Sequence, residues 1–422
     1  MERIERILKE AGIENYFIKT VLRDSTELFF IGDRLDLKRI NHSGDSVVSV
    51  YIDSEKEGVK LRGRSDVIVD ASMTDDELRE KLNSARLAAG YALNPYYDLA
   101  CGTKGEPIIT ESDLNGLDTD EIVKAFVDAV YSQDAGCAAF INNLELFVNE
   151  TRVSYKGTNG TDISYVKRKV TGEFVVQCIG TKDVETYRNF SYDSMAIPEL
   201  KKLVSDTLKM TEDRVMAEKM PKTGRYDLVI SDQYMPELLS FFTDRANAAY
   251  VYQKYSNYEV GKDLQNAPEG DRLNIRFGVT DPVNDEGIRM AERPFIEDGV
   301  VKTLHGSQRF SDYLKLPKIG TYEKLIVPAG PTEADELKKG CLHVVNFSDF
   351  QMDSLDGHFK GEIRLAYLYG EDGSARVLTG GSVNGSILEG INSLYFSKET
   401  QRLSNYEGPV AVKIKNVLVS GE

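Results

Sequence analysis

The chain has 422 residues, of which 41% are hydrophobic and 28% charged, as expected for a globular protein of two or three domains. Its 68 acidic residues outnumber its 52 basic ones, and the net charge of −16 disfavours binding to nucleic acid or to an anionic membrane. The segment 1–13 lacks the continuous apolar stretch of a signal peptide, and no later run is long enough to span a bilayer, so we expect a cytoplasmic protein.

Hydrophobic periodicity separates helices from strands in the first half of the chain. Thr74 and Glu77 form a Thr-x-x-Glu capping box, which predicts a helix that Asn94-Pro95 ends. Asn159-Gly160 lies between two stretches of period two and predicts a hairpin turn. The predicted elements are strands at 45–53 and 67–69, helices from 74 and from 119, strands at 144–148, 152–155, 163–169 and 173–178, and a helix at 198–210.

Short strands and glycines dominate the second half. A charged helix ends near Met220-Pro221, which predicts a domain boundary there and domains over 1–220 and 221–422. The predicted elements are a strand at 226–230, a helix at 235–250, and strands at 273–277, 324–327, 343–347, 362–369 and 410–419. The sequence therefore predicts a two-domain α+β fold, with a helix-containing N-terminal half and a strand-rich C-terminal half.

The cysteines and histidines are too dispersed to give a familiar metal motif. Cys101, Cys137, Cys178 and Cys341 form no Cys-x-x-Cys pair, and we expect reduced, mostly buried thiols.

No two histidines have the i, i+4 spacing that places two rings on one metal from a helix. Cys341 and His343 stand at i, i+2 on a predicted strand, so both could ligate zinc, with His305 and His358 completing a tetrahedron. The alternative is a buried cysteine beside a hydrogen-bonded histidine.

Two other groups of residues leave alternatives open. Asp281, Asp285 and Glu286 precede Gly287, and the group could bind a hard cation or form a solvated turn with Gly287 in the left-handed region. The serines 231, 240 and 307 lack the Gly-x-Ser-x-Gly context of a nucleophile elbow, although a Ser-His-Asp triad can still assemble through space.

Several short segments of the C-terminal half, in order, resemble the TldD/PmbA family, whose members are often named as modulators of DNA gyrase. The segments lie at 281–287, 295–300, 327–330, 357–362, 377–388, 409–414 and 417–421, with a looser match at 158–160. The resemblance implies two branches. The TldD branch carries His-Glu-x-x-x-His on a helix and a C-terminal cysteine as zinc ligands.

The corresponding helix here has Ser240, Phe241 and Arg245 at those three positions, and Phe396-Ser397 lies about where the cysteine would be. These side chains cannot replace two neutral imidazoles and a general base. The chain thus resembles the PmbA (TldE) branch.

The resemblance implies that this chain holds no cofactor and that zinc is bound by a TldD-type partner. It implies pairing with a TldD-type paralogue, or a homodimer, in a peptidase complex for unfolded or small modified peptides. The alternatives are a stand-alone hydrolase with an unrecognised site and a non-enzymatic binding or regulatory protein. For the last of these, the charge of −16 disfavours DNA contact but suits a basic protein partner.

Overall fold

The computed structural model describes residues 1–134, 138–220 and 222–421, so Cys137 and Pro221 lie outside the described residues. The first half forms one large sheet with helices packed against it. In chain order its elements are α1 (Glu2–Glu10), β1 (Asn15–Ile31), β2 (Arg34–Lys56), β3 (Val59–Asp70), α2 (Asp75–Tyr91), β4 (Leu93–Pro95), β5 (Ile108–Ile109), α3 (Thr119–Tyr131), β6 (Ala139–Gly157), β7 (Asp162–Ile179), β8 (Asp183–Tyr192) and α4 (Ile197–Met216).

This N-terminal sheet has the strand order β4-β3-β2-β1-β6-β7-β5, and β8 pairs with the other end of β7. All its pairings are antiparallel except β5 with β7. Helices α1 and α2 cover the apolar side chains of β1–β3, and α3 and α4 cover those of β6–β8. Apolar area removed from water in these two layers stabilises the half at roughly 25 cal/mol per Å².

The second half contains two further sheets around one apolar core. Its elements are β9 (Glu218–Lys219), β10 (Gly224–Ser231), α5 (Tyr234–Arg245), α6 (Ala248–Tyr252), β11 (Ile275–Gly278), β12 (Arg293–Glu297), β13 (Val300–Val301), α7 (Gln308–Tyr313), β14 (Lys324–Ile326), α8 (Ala334–Lys338), β15 (Leu342–Met352), β16 (His358–Tyr369), β17 (Ala375–Thr379), β18 (Ser382–Ser386), α9 (Ile387–Gly390), β19 (Leu394–Phe396), β20 (Thr400–Leu403), β21 (Tyr406–Pro409) and β22 (Ala411–Ser420), with a 3₁₀ turn at Ile391–Ser393.

One of these sheets has the order β15-β10-β22-β18-β16-β17-β9, and an extra pairing of β15 with β16 closes five strands into a ring. The other has the order β13-β12-β11-β14-β21-β20. Helix α5 follows β10 and packs on β15, so its apolar side chains join the core. Among the described residues, no helix combines the length and the apolarity that a bilayer crossing requires.

The predicted α+β class is confirmed, and several predicted elements need correction. The helix expected at 235–250 is two helices, because the side chain of Asn247 accepts a hydrogen bond from the Ala249 amide and starts α6. The strands expected at 163–169 and 173–178 are parts of the single strand β7. The expected boundary near residue 220 falls between α4 and β10, and its division of the chain into domains stays a prediction.

The cysteines that the structure describes are free thiols. Cys178 and Cys341 are buried, whereas Cys101 is exposed. Burial raises the pKa of Cys341 to about 11, so its thiol is protonated at neutral pH.

Candidate functional site

Helix α5 carries the three positions that the family resemblance singles out. It begins after a tight turn in which Asp232 has φ of +56°, a conformation that aspartate tolerates better than most side chains. Ser240 is half-buried on the helix surface and donates a hydrogen bond to the Glu237 carbonyl at 2.7 Å. It lines a cavity of about 450 Å³ together with Thr243 and Asp244.

Phe241 and Arg245 have structural contacts on other sides of this helix. Phe241 is fully buried and packs edge-on against Phe242, with ring centroids 5.4 Å apart. Arg245 donates hydrogen bonds to the carbonyls of Tyr255 and Leu355, and thereby holds two loops against α5. Positions five apart on a helix differ by roughly 140° in direction, so positions 240 and 245 face different surroundings.

His305 is enclosed in the core of the second half. Its Nε2 lies 2.9 Å from the Thr243 carbonyl, and its Nδ1 accepts a hydrogen bond from the Tyr322 amide at 3.0 Å. Burial lowers its pKa to about 4, so the ring is neutral at pH 7. Because both ring nitrogens already have backbone partners, a metal could bind only by displacing one of them.

His343 is also buried, and its Nε2 lies 2.9 Å from the Ser231 hydroxyl. Its Nδ1 has no hydrogen-bond partner. Burial is the main cause that lowers its pKa to about 3, and the nearby Lys338 ammonium adds to the effect.

Cys341 donates weakly to the carbonyls of Leu337 and Lys339, and His358 is exposed at the start of β16. Within the described residues, these side chains are not gathered in any group of three or more metal-ligating residues.

Ser231 and His343 are the pair that comes nearest to a nucleophile and its base. The Ser231 hydroxyl donates to the Asp232 carboxylate at 2.7 Å, so the acid contacts the serine rather than the far nitrogen of the imidazole. A hydrolytic triad instead places the acid on the histidine. Ser231 is 4% exposed and His343 is 6% exposed, so a substrate carbonyl cannot reach the hydroxyl in this arrangement.

The acidic group before Gly287 is a turn, as one of the two alternatives expected, and Gly287 has φ of +76°. The prediction of a solvated turn is only partly right, because the turn docks on the N-terminal sheet. Asp281 lies 2.5 Å from Lys167 of β7, and Asp285 lies 2.6 Å from Lys19 of β1. The Glu286 carboxylate accepts a hydrogen bond from the Gln308 amide, and burial raises its pKa.

A cleft with a volume of about 650 Å³ lies between the two halves of the chain. One wall is residues 185–189 of β8, which pairs with β7 along its other side. The facing wall is residues 346–350 of β15, beyond the point where β15 leaves β10. Side chains already bond several backbone groups on these walls. Arg214 donates to the Glu185 carbonyl, Arg188 donates to the Tyr187 and Val345 carbonyls, and the Tyr234 hydroxyl accepts from the Phe347 amide. No sequence signal marks this cleft, since its walls are 157 residues or more apart along the chain and share no motif.

The comparisons with known proteins agree with this architecture. The family described as the PmbA/TldA metallopeptidase C-terminal domain matches residues 223–421. No curated protein matches the sequence.

Three solved structures share the fold over nearly the whole chain. TldE from Thermococcus kodakarensis has a TM-score of 0.79 at 12% identity, covering 99% of this chain and 100% of its own. A proposed modulator of a DNA gyrase from Thermotoga maritima has a TM-score of 0.76 at 14% identity, covering 99% of both chains. Another from Bacteroides thetaiotaomicron has a TM-score of 0.79 at 16% identity, covering 100% of this chain and 98% of its own. Residues 223–421 thus match the PmbA/TldA metallopeptidase C-terminal domain family, and the chain as a whole shares the fold of these three structures.

Proposed function

We propose that this protein is the metal-free partner subunit of a TldD/PmbA-type zinc peptidase complex in the cytoplasm. The zinc is bound by a TldD-type paralogue, and the complex acts on unfolded or small modified peptides. The observation that carries the proposal is the state of α5. Ser240, Phe241 and Arg245 occupy the motif positions, and Phe241 and Arg245 are used for packing and for loop anchoring.

The partner role explains why a chain with this fold can lack the motif. When the zinc is supplied by a second subunit, the first subunit needs to contribute only the shape of the chamber and contacts to the peptide. The cleft of about 650 Å³ between β8 and β15 is where we propose that the peptide binds, because an extended chain can enter such a cleft and a folded protein cannot.

The test is purification of the tagged chain from its own cells, followed by mass spectrometry and zinc analysis. We expect a near-stoichiometric paralogue that carries His-Glu-x-x-x-His, with zinc and peptidase activity in the complex. Ser240→Ala should leave the zinc content unchanged, whereas replacing the partner's motif histidines should remove it. Recovery of this chain alone, with full peptidase activity, would contradict the proposal.

Neither alternative function gains a specific observation from the structure. A stand-alone hydrolase would need a reachable nucleophile, and the Ser231–His343 pair is buried. A regulatory role through a basic protein partner rests on the overall charge of −16. The purification described above separates these cases, because it identifies both the partner and the activity.

A further inference from the structure

The first part of strand β2 has a neighbouring strand on only one side. Strand β2 pairs with β1 from Arg34 to Tyr51, whereas β3 pairs with it only from Asp45 onwards. Across the part of the chain that the structure describes, no strand or isolated bridge pairs with the outer side of residues 34–44. The N-terminal sheet therefore has a notch beside these residues, which we call the free edge.

The direction of the backbone groups on the free edge follows from the neighbouring strands. Successive residues of an antiparallel strand direct their N–H and C=O groups to opposite neighbours. The Tyr16 carbonyl accepts a hydrogen bond from the Thr158 amide, so even-numbered residues of β1 face β6 and odd-numbered ones face β2. From Leu37 onwards, odd-numbered residues of β2 lie opposite odd-numbered residues of β1, so they face β1. The residues whose backbone groups point outward, into the notch, are Lys38, Ile40 and His42.

The side chains of the free edge do not protect it from pairing. Ile40 is 66% exposed, and Leu35 and Leu37 are nearly half exposed. Charged side chains commonly keep an unpaired edge from associating with another chain. Here the basic side chains from position 38 to 42 already contact carboxylates of their own chain. The pairs are Lys38 with Asp120, Arg39 with Glu27, and His42 with Asp24.

The two ends of the free edge determine which strand can occupy it. The turn between β1 and β2 closes one end, and the pair of Asp45 with Asp70, at the end of β3, closes the other. A strand that fills the notch must therefore match the length of 34–44. The same segment of a second copy has this length. With a two-fold axis at Arg39, midway along the free edge, residue 34 of one copy lies opposite residue 44 of the other.

This arrangement also brings suitable side chains together. With Arg39 on the axis, Asp36 of each copy lies opposite His42 of the other, so an acid faces an imidazole. Lys38 lies opposite Ile40, and the aliphatic part of the lysine can cover the exposed isoleucine. The two Arg39 side chains repel each other little, because each is already paired with a carboxylate of its own chain.

We propose that the free edge of β2 pairs with the same segment of a second copy of this chain, antiparallel and about a two-fold axis at Arg39. The two N-terminal sheets then form one continuous sheet, and the outward backbone groups of Lys38, Ile40 and His42 gain partners. The inference concerns the association of this chain with itself, and it goes beyond the partner role proposed above.

The first experiment measures the mass of the purified full chain by sedimentation equilibrium over a wide range of protein concentration. We expect a reversible dimer. Ile40→Pro removes an outward N–H from each copy and leaves the bonds to β1 intact, so it should raise the dimer dissociation constant about ten-fold or more. Ile40→Thr is the matched control, because it keeps the backbone N–H and the β-branched shape, and it should remain dimeric.

The second experiment tests the register and does not depend on how the proline variant folds. In the proposed pairing, Leu37 of one copy and Asn41 of the other form a non-hydrogen-bonded pair, with Cα atoms about 4.5 Å apart. In a Cys101→Ser background, which removes an exposed thiol, the double variant Leu37→Cys/Asn41→Cys should form a disulfide-linked dimer on mild oxidation. Each single variant should not.

Several results would overturn the proposal. A chain that stays monomeric at every concentration, including one that associates only with a zinc-bearing paralogue, would rule out pairing with a second copy. An unchanged dissociation constant in Ile40→Pro would move the interface away from the free edge. Equal cross-linking in the single and double variants would exclude the register. The purification that tests the partner role detects a different chain, so the two proposals can fail separately.

Discussion

The neutral imidazole of His343 gives the folded protein a pH dependence that can be measured. Its pKa is about 3 in the folded chain, against an ordinary value of 6.5 in the unfolded chain. Between these values the unfolded state binds a proton that the folded state does not, so the free energy of unfolding falls as the pH falls from about 6.5 towards 3. At pH 5 this group alone should reduce it by about 2 kcal/mol.

The measurement is denaturant unfolding at pH 7 and pH 5 for the wild type and for His343→Gln. The variant should lose about 2 kcal/mol less between the two pH values, since glutamine does not titrate. His358→Gln is the matched control at an exposed ring, which stays in water whether or not the chain is folded. If His343→Gln loses as much unfolding free energy between pH 7 and pH 5 as the wild type does, the ring of His343 is not held in its neutral form by burial.

At the residue scale, the sequence shows that the zinc-binding side chains are missing from α5, but it does not show which contacts the residues at those positions make. Serine, phenylalanine and arginine at positions 240, 241 and 245 are visible as non-ligands in the sequence alone. Their new contacts depend on residues brought close by folding, such as the Leu355 carbonyl 110 positions away from Arg245. Likewise, no local sequence pattern predicts that the Ser231 hydroxyl lies 2.9 Å from Nε2 of His343.

At the element scale, Asn247 should contribute to stability because it starts α6. Its side-chain oxygen accepts a hydrogen bond from the Ala249 amide at 2.9 Å, and this bond satisfies one of the free donors of the helix N-terminus. Asn247→Ala should lower the free energy of unfolding by about 1 kcal/mol. Ser84→Ala, at an exposed position within α2, is the control and should be nearly neutral. A neutral Asn247→Ala would contradict the capping role.

Strands were predictable from the sequence where one part of the strand has buried apolar side chains, and they were not predictable where all the side chains are exposed. The strand expected at 45–53 coincides with the part of β2 in which Val48, Val50 and Tyr51 are buried. The first part of β2, at 34–44, is almost entirely exposed, so it has no buried face to mark it as a strand. Helices α2 and α3 were predictable because their buried residues follow the helical period, and α2 also begins with a recognisable capping box.

At the scale of the whole molecule, the loop before Gly287 couples the two halves. Val283 is fully buried in an aromatic cluster of the N-terminal sheet that includes Phe17, Tyr155 and Tyr165. The Tyr155 hydroxyl donates to the Val283 carbonyl at 3.4 Å, and the ion pairs of Asp281 and Asp285 flank the contact. The local sequence predicts that these residues form one turn, but the strands on which the turn docks are more than a hundred positions away in the chain.

Val283→Asp should therefore separate the unfolding of the two halves. An unpaired carboxylate cannot remain among Phe17, Tyr155 and Tyr165 without a cost of several kcal/mol, so the loop should leave its site. In calorimetry we expect one transition for the wild type and two for Val283→Asp. Val260→Asp is the matched control, because Val260 is 59% exposed and lies in the same half of the chain.

Two transitions in the wild type, unchanged by Val283→Asp, would show that the halves unfold independently of this contact. One transition in both proteins would instead show that the coupling passes through other contacts, such as those of Arg188 with Val345. The distinction bears on function. The cleft that we propose for peptide binding lies between the halves, so it keeps its shape only while they unfold as one unit.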